Sequence, residues 1–213
     1  MLGSPNERRG GPSGPPDRVR RIALTGGIAT GKSYVRQAFE KLGVPTSDAD
    51  ARAREAVAPG TPGLRKVVER FGPEILNPSG ALDRARLASI VFADPSARRD
   101  LEQIVHPYVQ DATDKWFESL DAARYRFAIA DIPLLYEVGR DRDFDTVIVA
   151  ASRPETQVRR IVERDGISES EARQRMAAQQ PIDEKVRRAD YVIWTDGSFE
   201  DTDRQIHDLF RRL

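Results

Sequence analysis

The sequence predicts an α/β fold with a doubly wound, mostly parallel sheet. Three observations carry this. Apolar strand-like runs alternate with helical periodicities along most of the chain. The runs "YRFAIADIPLL" (125–135) and "DTVIVAA" (145–151) are continuously apolar, as strands covered on both faces are. And "GGIATGKS", Gly26 to Ser33, places three glycines and a lysine where a strand should turn into a helix.

The elements follow in order. "MLGSPNERRGGPSGPPDR" is rich in Gly, Pro, Ser and Arg without apolar periodicity, which predicts a disordered tail over 1–18. "VRRIALTG" reads as a first strand, and Val35, Ala38, Phe39 and Leu42 then repeat at helical spacing, with Gly43 as C-cap. "VPTSDAD" is a short second strand. Leu64, Val67, Val68 and Phe71 form a helical stripe closed by Gly72, and a further helix spans Arg84 to Phe92. Asp94-Pro95 supplies a cap and first-turn proline for a helix bearing Leu101, Ile104 and Val105, which His106-Pro107 is expected to interrupt. Phe92 and Tyr108 are expected in the core of this helical region. After the strands at 125–135 and 145–151, a helix opens at Pro154, "SESE" is a capping box for the next, and a short helix follows Pro181. "DYVIW" is the last strand, and Ser198 with Asp201 caps a terminal helix through Ile206, Leu209 and Phe210. Residues 51–123, helical and strand-free, read as an insertion outside the sheet.

Composition excludes several classes. The 213 residues hold 34 basic and 34 acidic side chains, so no net field draws the chain to nucleic acid or membrane. No apolar run is long enough to span a bilayer, no secretory h-region is present, and there is no cysteine for disulfides or thiolate metal sites. These features predict a cytoplasmic protein; composition does not fix its oligomeric state, for which a monomer or weak homo-oligomer is the expectation. Of the 34 basic residues only Lys32, Lys41, Lys66, Lys115 and Lys185 are lysines, so a lysine inside the glycine loop stands out against an arginine background.

That loop satisfies the phosphate-binding pattern Gly26-x-x-x-x-Gly31-Lys32-Ser33. Glycines let successive backbone N–H groups turn inward at a helix N-terminus, making an anion nest. Gly26, Gly27, Ala29, Thr30, Gly31, Lys32, Ser33 and Tyr34 are therefore the candidate ATP-binding residues, with Lys32 on the β- and γ-phosphates and Ser33 on Mg2+. The guanine-reading NKxD and the switch DxxG are both absent from the sequence. A small core with helical insertions suits a kinase of a small acceptor, in which one insertion holds the acceptor and another closes as a lid to exclude water.

The segments "IALTGGIATGKS", "DAD" (48–50), "HP" (106–107), "PLLYE" (133–137), "RIVERDG" (160–166) and "AAQQPIDEK" (177–185) occur in the order and spacing of bacterial dephospho-CoA kinases. From Arg21 onward the sequence resembles that family, which has a P-loop NTPase-like fold. The resemblance implies transfer of the γ-phosphate of ATP to the 3′-hydroxyl of dephospho-CoA. It also implies a nucleotide-binding core of 19–50, 124–153 and 189–213, an acceptor domain of 51–123 and a lid of 154–188. Asp50 matches the position of the base, with Asp48 the near alternative; either aspartate could instead cap the following helix. Arg160 and Arg164 match lid arginines that approach the phosphates, against the alternative of pairing with Glu155 or Glu163 on an exposed helix. His106 and Glu137 are candidate contacts to the acceptor, with a helix-junction role the alternative for His106. Asp131 stands where an acid would steady magnesium through water. Thr195 of "TDG" stands where the family commonly has asparagine beside the adenine, which predicts weakened base selectivity. Tyr34 replaces a usual threonine. A kinase of another small acceptor, such as a nucleoside monophosphate, and a non-catalytic nucleotide-responsive regulator are the other readings.

Overall fold

The computed structural model describes residues 18–213; of the tail expected to be disordered over 1–18, residues 1–17 lie outside them. Arg18 departs from that expectation because its guanidinium holds both carboxylate oxygens of Asp145 at 2.7 and 2.8 Å. Five strands order as β2-β3-β1-β4-β5: β1 Arg20–Gly26, β2 Thr46–Asp48, β3 Phe127–Asp131, β4 Thr146–Ala151 and β5 Tyr191–Trp194. β1 runs parallel to β3 on one side and to β4 on the other, and β4 runs parallel to β5. Ile22, Leu24, Ile129, Ile148 and Ile193 of this sheet pack against Val35 and Phe39 of α1 (Lys32–Lys41). Ile206 and Leu209 of α9 (Phe199–Arg212) complete that layer. β3 and β4 are buried at every residue, as their unbroken apolar composition requires. The chain after Asp131 does not continue as strand: Thr25 Oγ1 donates to the carbonyl of Pro133 at 3.2 Å, and residues 133–139 form turns.

The remaining helices are α2 Ala49–Ala56, α3 Pro62–Phe71, α4 Arg84–Ala93, α5 Pro95–Glu118, α6 Pro154–Asp165, α7 Glu169–Ala177 and α8 Ile182–Arg188. Most caps are those the sequence specifies. Gly43, at φ 81°, donates to Glu40 O at 2.9 Å, and Ser168 and Ser198 both close capping boxes. Among the described residues no helix is long and apolar enough to cross a membrane.

The chain divides into two compact units, one of the residues up to Ser47 with Phe117–Leu213, the other Asp48–Trp116. The second has its own core of Val57, Leu64, Val67, Phe71, Ile75, Leu87 and Ala97. Two expectations fail here. α5 passes straight through His106-Pro107, because Leu101, Ile104 and Val105 before the proline and Val109 after it keep one apolar face packed. That packing outweighs the one backbone hydrogen bond a proline removes. Phe92 is not a core residue but 94% exposed, since the buried residue of α4 is Leu87.

Candidate active site

The glycine loop joins β1 to α1, and each glycine in it answers a steric demand. A Cβ on Gly26 would lie 2.6 Å from both the Ala150 carbonyl oxygen and Thr30 Oγ1. One on Gly27 would lie 2.9 Å from Gln157 Oε1. Gly31 has φ 78° and caps α1 without a side-chain hydrogen bond. Ala29, at φ 59°, is the one non-glycine residue with positive φ among those described. Such strain concentrates at ligand-binding loops. Thr30 is buried and closes the loop, its Oγ1 donating to Gly27 O at 2.9 Å.

At the head of α1 the first N–H groups have no intrahelical acceptor, so the amides of Lys32 and Ser33 are available to an anion. The first turn carries no acid to compete for that end of the helix dipole. Tyr34 N donates to Gly31 O at 3.0 Å; its hydroxyl donates to Asp203 Oδ1 at 2.8 Å, which raises the phenol pKa. Ser33 is exposed. Lys32 Nζ donates to Asp131 Oδ1, and Arg36 Nε lies 3.4 Å from the other oxygen of the same carboxylate. Asp131 ends β3 opposite Leu24 of β1 and is nearly buried, so a carboxylate is fixed beside the loop lysine.

The arginines expected at the phosphates divide. Arg160 of α6 donates to Ala29 O at 3.2 Å, to Thr195 Oγ1 at 3.1 Å and to Thr195 O at 2.6 Å. It thereby straps the outer half of the loop to the residue following β5. Arg164 meets Asp165 in a bidentate contact at 2.7 and 3.0 Å. That contact, joined by Arg175 at 2.6 Å, holds the Asp165 carboxyl below its ordinary range. Neither arginine is paired with Glu155 or Glu163 among the described residues. Thr195 is buried, and its hydroxyl donates to Thr30 O at 2.8 Å, so the side chain braces the loop from the segment after β5.

In the second unit, Asp48 is the N-cap of α2: its Oδ1 accepts from Asp50 N at 2.8 Å and from Ala51 N at 3.3 Å. Asp50 itself is exposed, and its carboxylate has no hydrogen-bond or ion-pair partner among the described residues. His106 is exposed on α5. Beside it Pro107 and Tyr108 line a hollow with Lys66, Arg70, Asp100 and Ile104. Glu137, in the first unit, accepts from Lys185 Nζ at 2.8 Å and from Gln180 N at 3.0 Å.

Three contributors carried no expected role. Arg36 shares Asp131, Gln157 walls Gly27 and donates to Ser152 O at 3.0 Å, and Gln179 Oε1 accepts from Ile28 N at 2.8 Å. Lys185 was visible only inside a motif, although one of five lysines among 34 basic residues is itself a signal.

Comparison with known proteins identifies the family. Residues 20–201 match the family described as Dephospho-CoA kinase. The dephospho-CoA kinase of Syntrophotalea carbinolica is 45% identical over 192 residues, covering 90% of this chain and 91% of its own. That of Anaeromyxobacter dehalogenans is 47% identical over 195 residues, covering 90% and 92%. The solved dephospho-CoA kinase from Campylobacter jejuni superposes with a TM-score of 0.70 at 28% identity, covering 90% of this chain and 96% of its own. A strand-to-helix phosphate loop of this form, on a parallel five-stranded sheet and with this similarity along nearly the whole chain, makes the protein a member of the dephospho-CoA kinase family.

Proposed function

We propose the following division of labour for the family's reaction, transfer of the γ-phosphate of ATP to the 3′-hydroxyl of dephospho-CoA to give CoA and ADP, the last step of coenzyme A biosynthesis. The observation that carries it is the loop at the head of α1: Gly31 in the left-handed region, uncapped amides behind it, and Lys32 against Asp131. The amides from Lys32 onward and the Lys32 ammonium bind the phosphates, and Lys32 leaves Asp131 for them when ATP arrives. Gly26, Gly27, Ala29 and Thr30 give the loop its shape, and Thr195 contributes to nucleotide binding by holding Thr30 and Arg160.

Mg2+ suits these residues. A serine hydroxyl and a nearly buried carboxylate are hard oxygen donors, and the described residues contain no group of three or more acids and histidines that would form a full cage. Magnesium characteristically takes one or two protein oxygens plus substrate phosphates. Ser33 would hold it and Asp131 would steady it through water, where it would neutralise charge on the β- and γ-phosphates.

Asp50 orients the acceptor hydroxyl and takes its proton as the loose transition state forms. Its freedom from the capping role supports this. Arg160 places a fixed positive charge behind the loop, and Arg164 swings from Asp165 toward the transferring group when the lid of 154–188 closes. His106 contacts the acceptor from the helical unit of 51–123. The enzyme works in the cytoplasm as a monomer or weak homo-oligomer.

The test is an acceptor panel. Purified protein with Mg-ATP should convert dephospho-CoA to CoA with equimolar ADP, and should leave AMP and shikimate untouched. Efficient phosphorylation of AMP or shikimate without CoA formation would refute the assignment.

A further inference from the structure

The segment "QQPIDEK" (179–185) contains a buried cation that no step above uses. Lys185 is 0% exposed, and an ammonium has three N–H donors. All three have acceptors: Gly26 O at 3.2 Å, Pro133 O at 3.2 Å and Glu137 Oε1 at 2.8 Å. Gly26 is both the last residue of β1 and the first of the phosphate loop. Pro133 stands two residues beyond Asp131, the partner of Lys32. Six positions before Lys185, Gln179 takes the N–H of Ile28 at 2.8 Å, and Gln180 N returns to Glu137 Oε1 at 3.0 Å. The segment therefore grips the loop at two points, Gly26 and Ile28.

The same region holds the loop by packing. Ile28 and Ala29 lie against the cluster formed by Val158 and Ile161 of α6 and Ala172 of α7. A fully desolvated ammonium is unfavourable unless paired, and an apolar side chain of similar volume could fill the space instead. What the ammonium adds over such a residue is direction, because its three bonds join two backbone carbonyls, those of Gly26 and Pro133, to the side-chain carboxylate of Glu137.

We propose that Lys185, Glu137 and Gln179 are positioning residues for nucleotide binding: together they clasp the first half of the phosphate loop and tie its shape to the segment joining α7 to α8. The clasp rests on the kinase reading above and adds to it the means by which helices α6 to α8 act on the triphosphate site. Glu137 then serves Lys185 and Gln180 rather than the acceptor. A shift of the α7–α8 segment would drag Gly26 and Ile28 with it and change how the Lys32 and Ser33 amides aim.

The test compares full-length wild type with Gln179→Ala, Lys185→Met and the double variant. Mg-ADP dissociation constants are measured by calorimetry well below each melting temperature, alongside KM for dephospho-CoA. Gln179→Ala should weaken Mg-ADP about fivefold, the order of one positioned hydrogen bond. Lys185→Met should weaken it by about tenfold or more, with dephospho-CoA KM changed by less than about twofold in both. In the double variant the losses should combine to less than their product, because both residues hold one loop. Residues that merely fill the core would lower the melting temperature and leave Mg-ADP binding unchanged. Mg-ADP affinity within about twofold of wild type in Gln179→Ala therefore overturns the proposal, even if Lys185→Met fails to fold. The acceptor assignment fails separately: wild type that binds Mg-ADP yet makes no CoA would sink that reading and leave the clasp comparison standing.

Discussion

The carboxylate of Asp48 accepts the backbone N–H of Asp50 at 2.8 Å, so one aspartate of the "DAD" sequence caps α2 and the other is left uncommitted. Aspartate caps helices well, and with the same residue at both positions the sequence alone leaves the roles interchangeable. The structure separates them. Asp48→Asn should be nearly silent in stability, because asparagine caps as well as aspartate, whereas Asp48→Ala should cost about 1 kcal/mol. Urea unfolding of the two variants checks this; equal losses would mean that the cap is not the side chain's contribution.

Gly31 should not tolerate a methyl group. Its φ of 78° disfavours any L residue, and an added Cβ would meet the Thr195 side chain at 3.2 to 3.3 Å. Thr195 is buried and hydrogen-bonded, so it has little room to give. Gly31→Ala should cost about 1–2 kcal/mol of stability and weaken ATP binding. Unchanged ATP affinity in that variant would show that the loop reaches its binding shape without the left-handed residue.

Lys32→Ala removes a charge that serves both bound ATP and the transition state. ATP affinity should fall, and turnover should drop by about 10²–10³-fold. Stability should change less, because Arg36 remains beside the Asp131 carboxylate at 3.4 Å. A variant that keeps wild-type ATP affinity would take Lys32 off the phosphates.

Tyr136, in the "PLLYE" turn, has a buried hydroxyl without a hydrogen-bond partner among the described residues. Burial pushes its phenol from 10.0 up to about 12. A raised folded-state value means the fold favours the neutral phenol. That contribution is complete below pH 10, and is lost as pH rises from there through about 12. Tyr136→Phe should therefore be neutral or stabilising by up to about 1 kcal/mol at pH 7, and should lose stability less steeply above pH 10. Chemical denaturation at pH 7, 10 and 11 measures both. A clear loss at pH 7 would show that the hydroxyl has a partner.

Much of this architecture is legible in the sequence because its causes are local. The strand-to-helix glycine loop, the capping boxes at Ser168 and Ser198 and the buried runs of β3 and β4 all follow from neighbouring residues. Pro107 and Phe92 depart from local pattern because tertiary packing decides them: one helical face stays buried across the proline, and α4 turns Leu87 rather than Phe92 inward. The contacts that shape the loop from outside bridge long sequence separations. Arg160 to Thr195, Lys185 to Gly26 and Gln179 to Ile28 leave no periodicity or local pattern behind them. Asp48 and Asp50 are two residues apart and identical in type, so only the cap geometry tells them apart.

The most direct test of the catalytic account is single-turnover phosphoryl transfer to dephospho-CoA by folded Asp50→Asn, with Asp48→Asn as control. Asparagine keeps the shape and one acceptor oxygen but loses the basicity. The account predicts that the chemical step falls by about 10²–10⁴-fold in Asp50→Asn, while ATP binding and the Asp48→Asn rate stay near wild type. Near-wild-type transfer by Asp50→Asn, or a severe loss confined to Asp48→Asn, would contradict it.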